Sequence, residues 1–133
     1  MLTKQQWFNN AWNGIHAQGK AAVEIRLTKQ FPVEGVAVCV YRMPDDSKCA
    51  IGHSIIFYEP QMEGQLVEYL FENGDIRGDL QFLQELQACH DENALHIGRV
   101  FRTVETPSVF IKEFERDMHE MARRWKLEVP CPK

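Results

Sequence analysis

Five side chains of this 133-residue chain have the types and spacing for nucleophilic or metal chemistry: Cys39, Cys49, His53, His90 and Asp91. Cys39 through His53 places two thiols, an imidazole and a proline turn within a short stretch. Cys49 is the candidate nucleophile. A helix starting at Lys48 or Cys49 would point free backbone amides and the positive end of its dipole at the sulfur, which favours the thiolate. His90 and Asp91 would then act as base and orienting carboxylate, the set that a thiol-dependent hydrolase or transferase uses. Two features oppose this. Neighbouring residues on a helix project about 100° apart, so Asp91 is not expected to reach the ring of His90 unless the helix has ended there. No oxyanion-hole motif accompanies the thiol either, and cysteine is as often a small buried apolar group.

The same residues allow a second chemistry. Cys49 and His53 are four residues apart and would share a helical face, with Cys39, Cys89 or His90 completing a tetrahedral zinc site. The four cysteines, Cys39, Cys49, Cys89 and Cys131, contain no Cys-x-x-Cys pair, which argues against a zinc ribbon and against a disulfide framework. They read as reduced thiols. No metal or catalytic assignment is favoured, and no cofactor motif is present. Arg42 and Lys48 flank the Pro44 turn, but two charges without a glycine-rich loop are a weak phosphate signal.

Charge is uneven along the chain. The net charge is −4. Between Glu59 and Glu92 there are nine acidic residues (Glu59, Glu63, Glu68, Glu72, Asp75, Asp79, Glu85, Asp91, Glu92) against Arg77 alone, while each flank carries a small positive excess. Clustered carboxylates raise the local negative potential and steer basic partners, although solvated helix faces look the same in sequence. Glu63, Glu68, Glu72, Asp75 and Asp79 are the candidate partner-binding residues, and a host protein with a basic surface is the expected partner. Nucleic acid is disfavoured, because binding to phosphates needs several cations. Homo-oligomerisation is left open.

The elements that must position these groups follow from periodicity. Thr3 and Gln6 have capping-box spacing ahead of Phe8, Ala11, Trp12 and Ile15, which predicts a helix ending at Gln18-Gly19. Val23, Ile25 and Leu27 alternate as a strand, and Val36 through Tyr41 forms a second. The run from Cys49 to Phe57 suits either a return strand or a short helix capped by Asp46 or Ser47, with helix preferred. Helices are expected across Leu66–Phe71, stopping at Asn73-Gly74, and across Leu80 toward His90, with Asp91-Glu-Asn breaking the pattern. Leu95 to Val104 reads as irregular or as an edge strand. Thr106-Pro107 then opens the strongest stripe, Phe110, Phe114, Met118, Met121 and Trp125.

These elements predict one α+β domain over residues 1–133: a small antiparallel sheet within residues 22–57 packed on about four helices. The expected core is Trp12, Ile15, Val38, Val40, Leu70, Leu83, Leu86, Phe110, Phe114 and Met118. The chain lacks an apolar run long enough to span a bilayer, and Met1-Leu-Thr-Lys leads into polar residues without a signal core. A cytoplasmic protein with no membrane partner is the expectation.

Several blocks carry a resemblance. The blocks are Gln18-Gly19-Lys20, the stretch from Tyr41 to Gly52 ending Lys-Cys-Ala-Ile-Gly, Glu59-Pro-Gln-Met-Glu-Gly64, and Leu86-Gln87 before His90-Asp91, and the resemblance they carry covers most of residues 8 to 127. Through them the chain resembles a family of small phage- and prophage-associated proteins of unassigned function. The resemblance implies a phage-type accessory or regulatory protein acting in the host cytoplasm, and it carries over no catalytic residue, cofactor or substrate. Joined to the acidic segment 59–92, it leads to the expectation of a non-enzymatic protein that binds a host macromolecule, such as an anti-CRISPR-like inhibitor of a host defence system. A thiol-dependent enzyme using Cys49 and His90 and a zinc-stabilised interaction module are the rivals.

Overall fold

The computed structural model describes residues 1–30, 32–33, 35–97 and 102–130. The first helix, α1 (Lys4–Gln18), begins at the expected capping box: Gln6 N–H donates to Thr3 Oγ1 (3.1 Å), and Thr3 N–H donates to Gln6 Oε1 (2.9 Å). It stops at Gly19, whose left-handed backbone (φ 71°) lets its N–H return to Ile15 O at 2.9 Å. Trp7, Phe8, Ala11, Trp12 and Ile15 form its buried face.

Strand β1 (Val23–Arg26) pairs antiparallel with β2 (Val36–Cys39), in a register that sets Val23 opposite Cys39. Beyond β2 the chain turns through Asp45, whose carboxylate accepts from Ser47 N–H (3.0 Å) and Ser47 Oγ–H (2.6 Å), and an isolated bridge joins Arg42 to Lys48. The expected sheet over residues 22–57 is therefore shorter. Residues 49–57 are also neither strand nor α-helix: they make a turn and a 3₁₀ segment, Gly52–Ser54. Tertiary partners override the local pattern here. Lys48 N–H donates to Gln18 Oε1 (2.9 Å) from α1, and Ile51 N–H donates to Gln87 Oε1 (3.0 Å). Gly52 lies so close to the Tyr41 carbonyl that a Cβ would stand 2.2 Å from its oxygen.

A second 3₁₀ segment, Pro60–Met62, leads to α2 (Val67–Glu72) and α3 (Leu80–Ala94). Asp79 caps α3 by accepting from Phe82 N–H at 3.1 Å. α3 does not break at Asp91 as expected but runs on to Ala94, directly into β3 (Leu95–Ile97), which pairs antiparallel with β4 (Arg102–Val104). The expectation for Leu95–Val104 thus resolves into a strand pair, with 98–101 outside the described residues. α4 (Pro107–Trp125) follows.

The architecture is α+β, four helices with two small antiparallel strand pairs among the described residues. α1, α3 and α4 pack on one continuous cluster that includes Phe8, Ile51, Phe82, Leu86, Phe110, Phe114 and Met121. Each fully buried phenylalanine contributes about 1.5–3 kcal/mol by leaving water. Nine of the ten expected core residues are buried; Val38 is half-buried, because β2 turns it away from the helices. No described helix is long and apolar enough to cross a membrane.

Candidate functional site

α3 carries three polar residues on or beside its buried face, Gln87, His90 and Asp91. His90 is fully buried against the Phe110 ring, edge to face at 5.4 Å between centroids. Its Nε2 lies 2.9 Å from Ala22 N, immediately before β1. An amide N–H can only donate, so this partner assigns Nε2 as the acceptor and puts the proton on Nδ1. Nδ1–H then donates to Asp91 Oδ1 at 2.7 Å. The carboxylate does reach its neighbour's ring inside a continuous helix, contrary to the sequence expectation: Nδ1 and Oδ1 stand 2.7 Å apart although the helix runs on to Ala94. Gln87 Nε2 donates to the same Oδ1 at 3.3 Å.

Cys39, the last residue of β2, completes the cluster: the ligand atoms of Cys39, His90 and Asp91 all lie within 4.8 Å of one another. Cys39 and Asp91 also line a cavity of about 210 Å³, together with Tyr41, Gln65, Leu66 and Gln87. Among the described residues this is the one group of three or more potential metal ligands.

The other sequence candidates sit elsewhere. Cys49 is fully buried, and its sulfur accepts from Gly52 N–H at 3.3 Å. Burial, reinforced by the charge of Asp91, pushes its thiol up to about 12, the opposite of what an activated nucleophile needs. Cys89 is likewise pushed up to about 12 by burial. Cys131 lies outside the described residues. His53 does not share a ligand set with Cys49: its Nε2–H donates to Gln18 Oε1 (2.9 Å), and its ring lies against Gly14. Burial first, then the nearby Lys48 charge, lower its basicity to about 4. The helix expected over residues 49–57 would have aligned these two side chains; the turn that replaces it separates them. Arg42 and Lys48 both approach Asp46, and Arg42 stacks over the Tyr58 ring at 4.7 Å, so neither is held for phosphate.

The five acidic candidates divide by role. Glu63 is an internal tie: Oε1 accepts from Tyr41 N–H (2.9 Å), and Oε2 accepts from Arg42 N–H (3.1 Å) and Tyr58 O–H (2.6 Å). Asp79 is the α3 cap, and Glu68 accepts from Gln84 at 2.7 Å. Glu85, also in the acidic segment, accepts from Trp125 Nε1–H (2.6 Å) and pairs with Arg124 (3.2 Å). Glu72 and Asp75 are exposed, as are Glu59 and Glu92.

Sequence reasoning named the two glutamines that organise this region only as parts of the resembling blocks and gave neither a role. Gln18 binds Lys48 and His53, and Gln87 binds Ile51 and Asp91. For Gln87 the available signal was a polar residue in register with the apolar Leu83 and Leu86 stripe. No family model, curated protein or solved structure matches this chain.

Proposed function

We propose that the protein is a non-enzymatic, phage-type accessory protein that binds a basic host protein through residues 55–75. One observation carries the reading: Ile56 and Phe57 are 81% and 84% exposed, in the same segment as exposed Leu66 and Tyr69 and the exposed carboxylates Glu59, Glu72 and Asp75. Large apolar side chains held in water destabilise nothing singly, but an aromatic anchor with an acidic surround is the composition of a partner surface. Glu63 and Tyr58 tether the segment to residues 41–42, so the anchor is presented by an ordered loop. Such a surface complements a positively charged channel, and a nucleic-acid-handling host defence enzyme is the partner class we propose. The resemblance to phage and prophage proteins supports the same assignment.

The test is a binding assay against host defence nucleases, with Phe57→Ala, Ile56→Ser and the triple reversal Glu59→Lys, Glu72→Lys, Asp75→Lys. Phe57→Ala should weaken the complex about tenfold or more, as removal of a buried anchor does. The triple reversal should weaken it mainly at low salt. All variants should melt like the parent protein. Unchanged affinity in all three would overturn the proposal.

A further inference from the structure

We propose that Cys39, His90 and Asp91 form a binding site for a single zinc-class divalent ion, with its open position facing the cavity beside Tyr41 and Gln65. A thiolate, an imidazole and a carboxylate together suit a borderline-soft ion; magnesium and calcium favour all-oxygen sets. Ligand atoms around a tetrahedral ion stand about 3.5 Å apart, as follows from metal–ligand distances near 2.0–2.3 Å. Here the three atoms lie within 4.8 Å of one another, near that spacing before any ion binds. Two ligands come from consecutive residues of one rigid helix and the third from the end of a strand, and Gln87 Nε2–H donates to Asp91 Oδ1 at 3.3 Å, a supporting bond that helps fix the carboxylate. A fourth ligand would come from water or a small molecule in the cavity, which Cys39 and Asp91 both line.

The His90 tautomer gives the site a signature. Without metal, Nδ1 carries the proton and Nε2 accepts from Ala22 N–H. The ion takes the Nδ1 lone pair, which moves that proton to Nε2 and sets two donors, Nε2–H and Ala22 N–H, face to face. Ala22 must then give up this hydrogen bond, which couples ion binding to the start of β1. The Cys39 thiol releases its proton to solvent, the imidazole keeps one proton throughout, and the carboxylate contributes none, so one proton leaves per ion bound.

The experiment titrates the full-length, reduced, metal-free protein with Co²⁺ and then Zn²⁺. The expected result is one Co²⁺ per chain with a thiolate-to-cobalt charge-transfer band, displaced by Zn²⁺. Cys39→Ser should abolish the band, Asp91→Asn should weaken binding about tenfold or more, and Cys131→Ser should leave the band in place. Because substitutions around the buried His90 could disturb the fold, the parent protein is also followed by ¹⁵N NMR. Zn²⁺ should switch His90 from the Nδ1–H to the Nε2–H form and shift the Ala22 amide. Absence of a thiolate band in the parent protein, its survival in Cys39→Ser, its loss in Cys131→Ser, or a bound ion that leaves His90 and Ala22 unchanged would each overturn the proposal.

Discussion

Replacing Glu63 separates a structural carboxylate from a surface one. Three donors end on it: the N–H groups of Tyr41 and Arg42 at 2.9 and 3.1 Å, and the Tyr58 hydroxyl at 2.6 Å. Hydrogen bonds to a charged acceptor contribute about 1.5–3 kcal/mol each, and bonds sharing one acceptor do not add. Tyr41 is buried, so its N–H finds no ready substitute, whereas Arg42 and Tyr58 are half-buried and water can replace the carboxylate there. Glu63→Ala is therefore expected to cost about 2–4 kcal/mol, a fall in Tm of roughly 8–15 °C for a domain of this size. Glu63→Gln retains one good acceptor but turns an NH₂ toward a donor, and should cost about 1–2 kcal/mol. A second readout is independent of stability. Tyr58 is pushed up to about 12, by desolvation first and then by its bond to Glu63, so Glu63→Ala should move its titration down toward the ordinary tyrosine value. Urea denaturation and ultraviolet titration, with Tyr58→Phe to assign the signal, measure both. A Glu63→Ala protein that loses less than about 1 kcal/mol and titrates unchanged would refute this account and return Glu63 to the solvent-facing set.

Two further outcomes follow from the contact between α1 and the 49–53 turn. A Cβ on Gly14 would stand 2.2 Å from His53 Nδ1, so Gly14→Ala should destabilise by about 1–3 kcal/mol despite gaining about 1 kcal/mol of helix propensity. In a His53→Ala background the same substitution should stabilise, and a double-mutant cycle in urea that shows no change of sign would reject the contact. Because burial lowers His53 to about 4 in the folded protein against 6.5 in the unfolded chain, the unfolded state binds more protons between those values. The His53 contribution is thus complete above pH 6.5 and is lost as pH falls toward about 4. With the partial exposure of the ring discounted, that loss is on the order of 1–2 kcal/mol. Denaturant midpoints across this range should show a smaller slope in His53→Gln, and an identical slope would contradict the assignment.

The helices were legible wherever local signals agreed with burial. The Thr3 box, the Gly19 stop, Thr106-Pro107 and the Phe110 to Trp125 stripe each state a boundary or a face within a few residues, because capping and periodicity are short-range physics. The 49–57 run was not legible for the complementary reason. Its apolar pattern suits a helix, yet the Ile51 amide is taken by Gln87, the Lys48 amide just before the run is taken by Gln18, and Gly52 is pressed onto the Tyr41 carbonyl. Asp91 misled for a similar cause: an acidic run looks like a helix end, but α3 continues because Asp91 is held by His90 and Gln87.

By itself the sequence determined the α+β class, the principal helix faces and the list of side chains able to do chemistry. Only the tertiary structure decided which of them meet. It buried Cys49, brought the half-buried Cys39 to His90 and Asp91 through the β1–β2 pairing, spent Glu63 on backbone amides and left Ile56 and Phe57 in water. The physical reason is that a residue type sets what a group can do, whereas its solvation and its partners set what it does, and both depend on chain segments distant in sequence.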